Sequence, residues 1–207
     1  MPDPGTDPLS PLAHEIIQGT ANAYQKLTVS GGASPAADKL LGMTPEQLLI
    51  VPVASYPNAA AMLAAMWLWH DALDECHQIV QKSPADLDPI HPRINQREMT
   101  ETLSFWHAIM HRREGDFSNS KYWYARCASH PLRRSMASYA NDVLHPLPAD
   151  KSLLRLVRDG WDPNAFVDLV EQVHNQPSDL RHGAAVALQK IEWRLLFDYC
   201  TRFAAGQ

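Results

Sequence analysis

The chain has 207 residues, of which 45% are hydrophobic and 20% are charged, and its formal net charge is -5 at pH 7. This length suits one domain with a proper core, and the composition is that of a globular protein, which excludes global disorder. The negative charge argues against a nucleic-acid binder, because such proteins hold phosphates with clustered cations. No apolar run reaches the ~18 to 20 residues that cross a bilayer, so no membrane contact is expected.

The cysteines and the N-terminal segment bear on cellular location. Cys76, Cys127 and Cys200 lie far apart without a C-x-x-C spacing, which fits a reducing compartment. Residues 1–11 are rich in Pro and Asp and lack the basic and apolar regions of a signal peptide. We therefore expect a cytoplasmic protein with a flexible arm over 1–11 and one all-α domain over 12–207.

The first half of the chain predicts three helical segments. An apolar stripe with helical spacing predicts a first helix from Ser10 to Leu27. The sequence Thr-Pro-Glu-Gln at 44–47 is typical of a helix start and predicts a short helix that Pro52 ends. The long apolar segment 59–81 predicts a single helix that buries one face.

The second half is punctuated by helix-capping residues. Asn95 is a plausible cap for a helix that runs to Arg113, and Ser118 for the next one, which runs to Ala128. Further helices are expected over 134–144, 151–158, 163–174 and 178–204, with Asp162 capping the third of these. No segment alternates as a strand would. The prediction is an all-α domain of about eight helices.

The segment 108–131 resembles a single tetratricopeptide unit. It has small residues where two helices cross closely, a Gly and an aromatic residue at the turn, and a closing Pro; these are Ala108, Gly115, Phe117, Ser120, Tyr124, Cys127 and Pro131. The expected early Trp is absent at Ser104, and Pro131 comes one residue early. A repeat array needs about three units. The resemblance therefore implies a tetratricopeptide-like hairpin within a compact domain.

Three longer signatures are similar to those of a group of bacterial and fungal proteins without an assigned activity. They read HDALDECH at 70–77, WHAIMHRREGDFSNSKYW at 106–123 and EWRLLFDYC at 192–200. This resemblance covers roughly residues 59–203. It implies one all-helical domain and lends no catalytic residues.

Histidines at helical spacing form the first candidate site. His70, Asp74 and His77 would share one face of the predicted helix 59–81, and His107 and His111 would lie one turn apart on another. Two such sets on packed helices could surround a divalent metal. Ala108 stands where the zinc-protease motif needs Glu, so that motif is absent. The alternative is a polar network between helices, or a solvated surface.

Arginines and aromatic residues near the hairpin turn form the second candidate site. Arg112 and Arg113, with Asp116 and Asn119, could bind a carboxylate or phosphate at a helix start. The alternative is that they complement helix dipoles and form salt bridges. Tyr122 and Trp123, with Trp106 and Tyr124, could flank a planar ligand, although aromatics at helical spacing are usually core. At least one of Tyr122, Trp123 and Tyr124 must face away from the hairpin interior.

Two functions follow, with a third reading beside them. The first is a binding or scaffold module that holds a small anionic ligand or a partner peptide on this His, Arg and aromatic surface. The alternative is a metal-dependent hydrolase that uses His70, Asp74, His77, His107 and His111. The third is a structural subunit of a homo-oligomer.

Overall fold

The computed structural model describes residues 7–18, 23–89, 96–148 and 150–207. Within these ranges the chain forms ten α-helices and two 3₁₀ helices, and its β pairing consists of two isolated bridges. The α-helices are α1 (Pro11–Gln18), α2 (Tyr56–Trp69), α3 (Leu73–Val80), α4 (Pro84–Leu87), α5 (Gln96–Glu114), α6 (Phe117–Arg126), α7 (Leu132–Leu144), α8 (Lys151–Arg155), α9 (Pro163–Val173) and α10 (Leu180–Ala204). The all-α prediction is confirmed.

Helix α2 is the centre of the core. Every residue from Asn58 to Leu68 is buried, so this helix is covered on all sides and not on one face as predicted. Five alanines in this helix let α3, α5 and α10 pack closely around it. The indole nitrogen of Trp193 on α10 donates to the carbonyl of Ala65 at 2.9 Å.

The predicted single helix over 59–81 is wrong, because the chain breaks between α2 and α3. Asp71 has a φ of 63°, a left-handed conformation that does not continue an α-helix. The guanidinium of Arg113 on α5 donates to the Asp71 carboxylate at 2.5 Å and to the Leu68 carbonyl at 3.2 Å. A side chain from another helix therefore holds the break in place.

Helices α5 and α6 form the predicted hairpin and pack against each other. Gly115 makes the turn with a φ of 90°. Asp116, and not Ser118 as predicted, caps α6 by accepting from the backbone N–H of Asn119 at 3.1 Å. At the crossing, the Ser120 hydroxyl donates to the Ala108 carbonyl at 2.8 Å. The helical hairpin is present, and its likeness to a tetratricopeptide unit stays a prediction.

Among the other predicted helix bounds and caps, some agree with the structure and some do not. Helix α1 ends by Gln18 among the described residues, and residues 23–29 are not helical, so the first helix is shorter than predicted. The proposed cap Asn95 lies outside the described residues. Asp162 does cap α9, accepting from the backbone of Asn164 and Ala165, both at 3.0 Å. Helix α10 starts two residues late, after Asp179.

The start of the described chain is attached to the domain. The Ser10 N–H donates to the Leu48 carbonyl at 2.8 Å, and the Ile50 N–H donates to the Pro8 carbonyl at 2.9 Å. Residues 8–10 thus pack on the domain, which differs from the free arm expected over 1–11; residues 1–6 lie outside the described part. Over the described ranges, no helix combines the length and the apolar character that crossing a membrane requires.

Candidate metal centre

Three imidazoles from two helices meet beside the hairpin. His77 comes from α3, and His107 and His111 lie one turn apart on α5. Nitrogens of the three rings lie within 4.8 Å of one another. The ring centroids are 4.8 Å apart for His77 and His107, 4.8 Å for His107 and His111, and 5.6 Å for His77 and His111. Packing of α3 on α5 therefore assembles three of the predicted ligands.

His107 is the most enclosed of the three. It is 3% exposed, and neither ring nitrogen has a hydrogen-bond partner among the described residues. Burial, together with repulsion from His111 and His77, lowers the pKa of His107 to about 3. The ring is therefore neutral at physiological pH. A buried polar group without a partner costs free energy, so these nitrogens are available to bind another atom.

His111 is oriented by a carboxylate that was not among the predicted metal ligands. Its Nδ1 lies 2.9 Å from Oε2 of Glu114, three residues further along α5. A carboxylate accepts, so Nδ1 carries the proton in this contact, and in the neutral form of the ring the lone pair is on Nε2. The spacing of three residues on one helix face was the available signal for Glu114.

Helix α6 covers the faces of two of these rings. The Trp123 ring stacks on His107 with centroids 3.8 Å apart and planes inclined by 17°. One turn earlier, Nδ2 of Asn119 lies 3.0 Å from Nε2 and 3.4 Å from Nδ1 of His111. These nearly equal distances place the amide off the lone-pair axis of either nitrogen. Trp123 and Asn119 thus limit ring rotation, while the lone pair on Nε2 stays accessible.

His70 and Asp74, both predicted as metal ligands, lie away from this cluster. His70 is 1% exposed and its Nε2 lies 3.2 Å from the carbonyl oxygen of Ile16 on α1. Asp74 is exposed, and it belongs to no possible ligand group found among the described residues. The reason is the break at Asp71, which destroys the helical register that would have placed His70, Asp74 and His77 on one face.

Arg112 lies in the core and not at the surface. Its side chain is fully buried, and it donates to Oε2 of Glu192 on α10 at 2.6 Å and to the Tyr124 hydroxyl at 2.5 Å. The Tyr124 hydroxyl in turn donates to the same carboxylate at 2.9 Å. The guanidinium also lies 4.5 Å above the Phe166 ring. The cation therefore joins α5, α6, α9 and α10.

Arg113 is also fully buried, on another side of α5. Besides its contacts at the break, its guanidinium lies 3.9 Å above the Tyr24 ring. Both arginines thus have internal partners, which differs from the surface anion site predicted for them. The alternative reading, salt bridges between helices, describes their positions.

The remaining predicted residues have separate positions. Asp116 caps α6 and also comes within metal-ligand distance of His111 and Glu114, but both acids are exposed. Tyr122 is 56% exposed and meets the edge of Trp123, with ring centroids 5.4 Å apart. Tyr122 is therefore the aromatic side chain that faces away from the hairpin. Trp106 and Tyr124 are core residues.

The three imidazoles are ligands that favour metal ions of borderline softness. Neutral imidazole nitrogens suit Zn²⁺, Co²⁺, Ni²⁺ or Cu²⁺, whereas Mg²⁺ and Ca²⁺ prefer oxygen ligands. Helices α3 and α5 present the three rings, and α6 backs two of them. Comparisons of the chain with protein-family models, with curated proteins and with solved structures give no significant match.

Proposed function

We propose that the protein is a metal-binding module whose centre is formed by His77, His107 and His111. The observation that carries this proposal is His107, a buried imidazole with two unpartnered nitrogens and two further imidazoles beside it. A divalent cation supplies the partner that this ring lacks. The neutral state of the ring removes the competition with protons that weakens most histidine sites.

The dimensions of the cluster are compatible with one ion. Nitrogens that share a tetrahedral zinc lie about 3.3 Å apart, because each Zn–N bond is about 2.0–2.1 Å. The ring nitrogens here lie within 4.8 Å. Closure therefore needs shifts of only about 1 Å, which displacements of the imidazoles within their ring planes supply. Glu114 supports the site in the usual way, since metal-binding histidines commonly donate their second N–H to a carboxylate.

Measurement of the metal content tests this function. The purified protein is titrated with Zn²⁺ against a chromophoric chelator, and bound zinc is counted by elemental analysis. We expect one zinc for each chain, and at least tenfold weaker binding after His77→Ala or His107→Gln. His145→Ala, at the end of α7, is the control and keeps full affinity. Wild-type protein that binds no zinc, or variants that bind it equally well, would refute the proposal.

A metal-dependent hydrolase is the second candidate. Three histidine ligands with an open fourth position can bind a water molecule and lower its pKa to about 7, which generates hydroxide at neutral pH. The zinc-loaded protein is therefore assayed for p-nitrophenyl acetate hydrolysis, with metal-free protein and His77→Ala as controls. Equal rates in all three remove the hydrolase and leave the binding module.

A further inference from the structure

We propose that the open position of this centre takes a small anion, such as a carboxylate or hydroxide, and that Asn119 is the residue that binds it. This inference rests on the proposed metal centre. The observation behind it is that Nδ2 of Asn119 lies 3.0 Å from Nε2 of His111, the nitrogen whose lone pair is free.

The direction of the Asn119 amide makes it a donor for a ligand and not a ligand itself. The amide nitrogen, which cannot coordinate a metal, is the atom that lies 3.0 Å from Nε2 of the imidazole. Because the amide lies off the lone-pair axis of Nε2, a metal can bind this nitrogen without displacing Asn119. The N–H groups of Asn119 then lie beside the metal, where they can donate to an atom bound at its open position.

The charge of the centre favours an anion at this position. Three neutral imidazoles leave the full charge of a divalent ion uncompensated. The carboxylates of Glu114 and Asp116 lie within 4.8 Å of His111 but are exposed to solvent, and Glu114 faces the Nδ1 side of the ring. His77 and Asn119 are both half-buried, so a small ligand reaches the centre from solvent. A small anionic ligand is thus bound through the metal and Asn119, while Arg112 and Arg113 stay in their internal ion pairs.

Cobalt-loaded protein and azide provide the test. Co²⁺ reports its coordination through visible absorption, so one titration measures metal affinity and a second measures azide affinity. In Asn119→Ala we expect the azide affinity of the Co²⁺-saturated protein to fall about tenfold, because a hydrogen bond to a charged group is lost, while Co²⁺ affinity falls by less, because all three imidazoles remain. Ser118→Ala is the matched control: its hydroxyl donates to Asp116 and not to His111. This variant should bind azide like the wild type.

Three results would overturn the inference, and they are distinguishable. If wild-type protein binds Co²⁺ but azide does not change its spectrum, or if Asn119→Ala binds azide normally, the metal centre stands and the anion site fails. If Asn119→Ala weakens Co²⁺ binding as much as azide binding, Asn119 supports the metal centre and not the anion, and the anion site fails. If wild-type protein binds neither Co²⁺ nor Zn²⁺, the proposed function fails and the anion site fails with it.

Discussion

At the scale of single residues, the stability of this protein depends more on its buried charged side chains than on those at its surface. Arg113 has a fully buried side chain, and its carboxylate partner, Asp71, lies 42 residues earlier in a left-handed conformation. Removing one partner of a buried ion pair leaves an uncompensated charge, which costs far more than the pair itself contributes. The Asp71 carboxylate therefore fixes the chain at the end of α2 and compensates the charge of the Arg113 guanidinium.

Asp71→Asn should lower the free energy of unfolding by about 3 kcal/mol, because it leaves Arg113 buried without its counter-charge. Asn tolerates the left-handed backbone, so the loss reports the charge and not strain. Asp74→Asn, an exposed site three residues further along, is the control and should change stability by less than about 0.5 kcal/mol. Urea denaturation measures both, and equal stabilities would contradict this account.

Glu114 is a second residue whose effect can be tested by itself, because its carboxylate contacts His111 on the same helix. If its carboxylate orients His111, Glu114→Ala should weaken Zn²⁺ binding about tenfold. Glu114→Gln should retain part of the affinity, since an amide oxygen still accepts from Nδ1–H. Competition titration against a zinc chelator gives the two constants. Wild-type affinity in Glu114→Ala would show that the contact at Nδ1 has no orienting role.

At the scale of elements, the α5–α6 hairpin backs the candidate ligands, which the packing of α3 on α5 brings together. Gly115 turns the chain so that α6 runs back along α5 and places Asn119 and Trp123 over the imidazoles. The turn needs a left-handed residue, and an added Cβ would meet nothing within 4 Å. Its substitution therefore tests backbone conformation alone.

Two glycine substitutions should have opposite signs. Gly115→Ala should destabilise the protein by about 1–2 kcal/mol, because its φ of 90° is costly for a residue with a Cβ. Gly183→Ala should stabilise it by about 0.5–1 kcal/mol, since Gly183 lies within α10 and a Cβ there also meets nothing within 4 Å. Thermal unfolding of both variants gives the comparison. The same sign for both would refute the reasoning.

At the scale of the whole molecule, a buried ion pair connects the hairpin to α10. Arg112 and Glu192 are 80 residues apart in the chain and both side chains are fully buried. Tyr124 and Phe166 complete the surroundings of the guanidinium. Through the guanidinium, side chains of α5, α6, α9 and α10 are therefore in contact at one point in the core.

A double-mutant cycle tests this pair. Arg112→Met and Glu192→Leu should each lower stability by about 3–5 kcal/mol, because each leaves one buried charge without a partner. The double variant should be far more stable than the sum of the single losses predicts, since both charges are gone. Additive losses in urea denaturation would mean that the two side chains do not interact.

The metal-free protein should lose stability in acid. Burial lowers the pKa of His107 to about 3 and that of His130 to about 4, from ordinary values of 6.5. As the pH falls from about 6.5 towards these values, the unfolded chain takes up protons that the folded chain refuses, so folding becomes less favourable. Above about 6.5 these two groups contribute no pH dependence. Urea midpoints between pH 4 and 8 measure the slope, and His107→Gln should flatten it.

The local properties of this chain were readable from its sequence. Apolar spacing, Pro and Gly positions and the Asp162 cap predict helices because a helix depends on neighbours within about four residues. The same reasoning indicated His77, His107 and His111 as candidate ligands. The last two were expected one helical turn apart. It could not exclude His70 from the metal ligands. The position of His70 depends on the break at Asp71, where Arg113 of another helix binds the Leu68 carbonyl and the Asp71 carboxylate.

Only the tertiary structure decided which charges are buried and which imidazoles meet. Arg112 and Arg113 have the pattern of surface cations at a helix end, and their partners Glu192 and Asp71 lie 80 and 42 residues away. No local rule specifies such pairs, because they form only when α5 packs against α10 and against the end of α2. The sequence by itself determined the all-α class and the approximate position of most helices, whereas tertiary packing determined the break at Asp71 and the candidate site.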